Sequence, residues 1–128
     1  MRLTIRLAAA AALIGSTALP ALADTADGAA LTAMPWAEVE ALAKGSTVNW
    51  FMWGGSDTIN AYVSETVGKV LQDQYGITLN RVGITDTAEV VNAVLGEKAA
   101  GVTDAGSVDM IWINGENFRS MQQAGLAF

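Results

Sequence analysis

The chain has 128 residues, 52% of them hydrophobic, with 13 acidic and 7 basic residues and a formal net charge of −6. Scattered Lys and Arg in an acidic chain do not build a phosphate-binding surface, which excludes nucleic acid as an expected partner. The sequence has no Cys and no His, which excludes disulfides, thiolate or imidazole metal ligands, a cysteine nucleophile and a histidine base.

Residues 1–23 read as a cleaved secretory signal peptide. Arg2 and Arg6 give a positive start, Leu7 to Ile14 is apolar, Pro20 breaks the run, and Ala21-Leu22-Ala23 is a small-x-small cleavage site. The apolar run is shorter than the ~20 residues of a membrane span. Removal of 23 residues leaves 105 of the 128 and takes away Arg2 and Arg6. Five basic then face 13 acidic residues, a net charge of −8. The mature chain is expected to be soluble and not membrane-spanning. Residues 24–34, small and polar at first, read as a flexible mature N-terminus.

Pro35 to Lys44 predicts a short helix ended by Gly45, with Trp36, Val39 and Leu42 or Ala43 on its packed side. Thr47 to Met52 is β-branched and aromatic and predicts a strand covered on both faces. It runs through Trp53, Gly54 and Gly55 into a long helix over Asp57 to Tyr75, capped by Ser56 or Asp57 and ended by Gly76. Ile59, Val63, Val67, Val70 and Leu71 make the apolar stripe of that helix. Thr78 to Val82 predicts the second strand. Thr87 to Ala100 predicts a helix capped by Thr85 or Asp86, with Val90, Val91, Val94 and Leu95 buried. Val108 to Ile113 predicts the third strand, and Asn117 to Gln123 a final helix.

Strand centres recur about every 30 residues, the size of a βαβ unit. The order β-α-β-α-β-α predicts an α/β fold with a parallel, doubly wound sheet. Trp50 and Trp112 are expected in its core. The third strand, the most hydrophobic, is expected to be central in a larger sheet, and the chain reads as a fragment of a longer protein.

Ligands of such sheets sit beyond the carboxyl ends of the strands. Trp53, Gly54, Gly55 and Ser56 follow the first strand: two glycines admit a close backbone approach, and Trp53 offers an aromatic wall. An ordinary tight strand–helix turn explains the same glycines equally well. Asn114, Gly115 and Glu116 follow the third strand, with Asn114 weighed toward ligand contact and Asn117 toward helix capping. Asp57, Asp86, Asp109 and Glu116 lack metal-loop spacing, and Asp57 and Asp86 fall at helix starts, so no metal and no cofactor is expected. A Glu116–Asp57 carboxylate pair for glycoside hydrolysis has no spacing to support it.

The segments WAEVEALAKGSTVNWFMWGGSDTIN, QYGITLNRVGITDTAEVVNAV, EKAAG and SVDMIWINGENFRSMQQAGL resemble the start of bacterial ABC-importer solute-binding proteins. The likeness is to the family 1 extracellular group, and looks most like its YnjB-like branch. It runs through residues 36–126. The resemblance implies a non-enzymatic periplasmic protein with two α/β lobes, a small molecule held in the cleft between them, and delivery to an ABC permease in the inner membrane. It implies members roughly three times as long as this chain, so residues 35–128 would be the first half of lobe one. It also implies that Trp53, Gly54, Gly55, Ser56, Asn114, Gly115 and Glu116 line the cleft. A secreted hydrolase- or transferase-like α/β domain is the alternative, although a G-x-S-x-G elbow is missing. A truncated product without function of its own is another.

Overall fold

The computed structural model describes residues 28–102 and 104–126. The expected signal peptide, residues 1–23, and the first four residues of the expected flexible start lie outside the described residues. Residues of the remainder of that start form a helix, α1 (Gly28–Ala33), with none buried. Then follow α2 (Trp36–Ala43) and β1 (Thr47–Trp53). A long helix, α3, spans residues 57–75. It leads to β2 (Thr78–Ile84), α4 (Thr87–Ala99), β3 (Met110–Ile111) and α5 (Gly115–Gln123).

The three strands form one parallel sheet in the order β2-β1-β3. β1 is therefore the middle strand, in register with β2 from Thr47↔Thr78 to Trp53↔Ile84. Parallel partners share a face, so Val48, Trp50 and Met52 lie beside Leu79, Arg81 and Gly83. α3 covers that face: a Cβ on Gly68 would touch Leu79 at 3.7 Å, and Arg81 Nε donates to Ser64 Oγ at 3.3 Å. Asn49, Phe51 and Trp53 share the other face with Ile111, where Val94 of α4 and Phe118 and Met121 of α5 border the same groove. Helices thus flank both faces. The buried side chains are Met52 at the sheet centre, Val63 on α3, Val90 and Val91 on α4, and Met121 on α5.

Two glycines in the left-handed region join the ends of α2 and α3. Gly45 (φ 84°) donates its N–H to the carbonyl of Gly76 (φ 68°) at 2.9 Å, and Thr78 N–H then reaches Ser46 O at 2.9 Å. Side chains other than glycine are strained at such φ. This clasp aligns the starts of β1 and β2.

Several expectations are corrected. α3 is not uniform: π turns at Tyr62–Val67 and Leu71–Tyr75 alternate with α turns at Asp57–Ala61 and Gly68–Val70. Wider turns shift later side chains around the axis, and Val70, expected in the stripe, is exposed. β3 has two residues rather than six. Only its β1 side has a partner, where Asp109 N–H and Trp112 N–H donate to Asn49 O and Phe51 O. Trp112, expected in the core, is 52% exposed, because it sits on α3's face of the sheet and α3 lies over β1 and β2. Trp36 and Leu42 of α2 and Leu95 of α4 are also exposed. Trp50 is half-buried.

Candidate functional site

The chain leaves β1 toward the face of α3, and leaves β2 and β3 toward the opposite face. Loops that part in this way open crevices at the carboxyl rim. The loop after β1 stands between two of them. On the β2 side the crevice is a cavity of about 420 Å³. Trp53, Gly54 and Gly55 form one wall and Gly83, Ile84 and Thr85 the other; Asn60, Arg81 and Glu89 complete the lining.

The glycines have distinct roles. Gly54 continues the ladder past β1, its N–H donating to Ile84 O at 3.0 Å. A Cβ there would stand 3.3 Å from Gly83 Cα, so the two glycine backbones face each other across the cavity floor. A Cβ on Gly55 would collide with the Trp53 indole, which folds back over it. The expectation that this turn offers free N–H groups is thereby corrected at Gly54, whose N–H is engaged. Trp53 is 53% exposed at the cavity mouth. Ser56 does not line the cavity; its hydroxyl caps α3 by accepting from Ile59 N–H at 3.4 Å.

Asn60, one turn into α3, donates through Nδ2 to the Gly54 carbonyl at 2.8 Å, while its Oδ1 is buried without a partner. Arg81 lies along the sheet face beneath α3. Its Nη1 is also buried and unpartnered, and a Cβ on Gly83 would stand 3.2 Å from it. Thr85 Oγ1 donates to Glu89 Oε1 at 2.9 Å, fixing that carboxylate on the outer wall. Among the described residues the sole ion pair is Lys69–Asp73, so Arg81 and Glu89 border one cavity without pairing.

Asn114, Gly115 and Glu116 border the β3 side of the same rim, all exposed, and do not line this cavity. The cap of α5 falls to Asn114, whose Oδ1 accepts from Asn117 N–H at 3.0 Å; Asn117 is the donor, where the sequence had suggested the reverse division of roles. Asp86 caps α4 and Asp109 Oδ2 accepts from Asn49 N–H at 2.7 Å, both structural uses of carboxylates. Among the described residues no three acidic side chains gather as a metal-holding group.

Asn60, Arg81 and Glu89 went unrecognised in the sequence. Arg81 carried a signal: it is the one charge in the otherwise uncharged run Thr78–Ile84, two residues before Gly83 on the same face. Asn60 had none, since a polar residue in the first turn of a helix is ordinary.

Over 94 residues the chain is 42% identical to Protein YnjB of Escherichia coli (strain K12). The match takes in 73% of this chain and 24% of YnjB, so the chain spans about a quarter of that relative's length. No family model matches the chain, and no solved structure matches it. Among the described residues no helix is long and apolar enough to cross a membrane.

Proposed function

We propose that this chain forms part of the first lobe of a periplasmic solute-binding component of an ABC import system. It captures a small molecule at the carboxyl rim of its sheet, within a cleft that a second lobe closes, and delivers it to a permease. The observation that carries this reading is the rim cavity between Trp53–Gly55 and Gly83–Thr85, where two strands end in glycine and leave room for a ligand against the backbone. The likeness to YnjB and the resemblance of the WGG turn and the WINGENF segment to solute-binding proteins support it. The rim on the β3 side, at Asn114, Gly115 and Glu116, belongs to the same cleft in this reading.

The reading is tested by cell fractionation with N-terminal sequencing, and by thermal shift of the full chain against a panel of small solutes. The expected result is a periplasmic product beginning at Asp24 whose melting temperature rises saturably with at least one solute. A cytoplasmic product beginning at Met1 that answers to no solute contradicts it.

A further inference from the structure

We propose that the rim cavity is built for a zwitterion, with Arg81 receiving the anionic group and Glu89 the cationic one. The inference rests on the solute-binding reading and specifies the chemistry of its ligand. It starts from two opposite charges on one cavity that do not meet. Arg81 is held by its Nε–H on Ser64, and Glu89 by the Thr85 hydroxyl, so each is fixed by a neutral partner on its own side. The space between them is about 420 Å³, enough for a small organic solute.

The polar atoms left over have matching character. Arg81 Nη1 is a buried donor and Asn60 Oδ1 a buried acceptor, neither with a partner. Buried polar atoms without partners are costly, and a charged one more so. An oxyanion answers the first and an N–H donor the second; a zwitterion such as an amino acid carries both. Gly83 is essential to this arrangement, since a side chain there would cover Nη1. A dianion such as phosphate suits the cavity less well, because the Glu89 carboxylate stands on the opposite wall in a chain of net charge −6. Trp53 at the mouth offers its indole to the ligand's apolar part or to its cation.

The test is calorimetric titration of the full chain with the common α-amino acids and glycine betaine, with acetate, ethylammonium and inorganic phosphate as single-charge and dianion probes. At least one zwitterion is expected to bind more tightly than any single-charge probe. Arg81→Gln and Glu89→Gln are each expected to weaken that binding about tenfold or more. Arg81→Lys, which keeps the charge, loses less than Arg81→Gln. Glu89 is exposed, so Glu89→Gln decides the matter even if Arg81→Gln fails to fold. Phosphate binding ahead of every zwitterion, no binding of any probe, or a zwitterion whose affinity is the same in Glu89→Gln, overturns the assignment. Binding of a different solute, with unchanged affinity in both variants, overturns the assignment and leaves the solute-binding reading standing.

Discussion

Asn60 Nδ2 donates to the carbonyl of Gly54 at 2.8 Å and so ties the first turn of α3 to the end of β1. This bond closes the strand–helix turn from the inside and holds Trp53, Gly54 and Gly55 as one wall. Asn60→Ala leaves the part-buried carbonyl without that donor. A loss of about 1–2 kcal/mol is expected, read from urea unfolding curves of the full chain. An unchanged midpoint would mean that the turn is held by its backbone alone.

Gly54 and Gly55 are expected to respond differently to the same added methyl. At Gly54 the neighbour is the Gly83 backbone, which cannot step aside without parting β1 from β2. Gly54→Ala should therefore cost about 1–2 kcal/mol, as overpacked sites do. At Gly55 the neighbour is a half-exposed indole that can swing outward. Gly55→Ala should alter Trp53 fluorescence with a smaller loss of stability. Equal losses, with no change in the Trp53 signal, would contradict this division.

Asn114 has one observed role and one proposed one. As the cap of α5, Asn114→Ala should lower stability by about 1 kcal/mol, and Asn114→Ser should restore most of it. If the amide also meets ligand on the β3 side of the rim, the serine variant regains stability but not affinity. Paired melting and binding measurements separate the two, and recovery of both by serine would reduce Asn114 to a cap.

Asp109 fastens the β3 side of the sheet to β1 by accepting the Asn49 N–H. Asp109→Ala should speed hydrogen exchange at Asn49 and at Trp112, whose N–H bonds Phe51 on the same short ladder. Exchange confined to Asn49 would mean that β3 holds without the carboxylate.

Residues 24–128 studied alone are expected to self-associate. The outer edge of β3 is unpaired, and Met110, Trp112 and Phe118 are exposed around it. An unpaired apolar edge is a template for association. Sedimentation should find oligomers at micromolar concentration; a sharply melting monomer would contradict the expectation.

The alternation of strand and helix was legible because each strand is a β-branched or aromatic run and each helix starts at Ser, Asp or Asn and ends near Gly. The wall of Trp53, Gly54 and Gly55 was legible for the same reason. What escaped depends on neighbours distant in sequence. Trp112 looks like a core residue until the order β2-β1-β3 puts it beyond the reach of α3. Val70 fits a 3.6-residue stripe until the π turns rotate it outward. Arg81 looks like a solvated charge until Gly83 and α3 enclose its Nη1. The role of Gly55 changed too, from admitting a ligand to admitting the Trp53 indole.

Native mass spectrometry of the full chain, gently released from the periplasm, bears most directly on solute capture at this rim. The expected result is a population carrying one small-molecule adduct, which fades on dialysis and is reduced by Trp53→Ala and by Arg81→Gln. A bare polypeptide mass that no added solute shifts, in a protein that is otherwise folded, would contradict it.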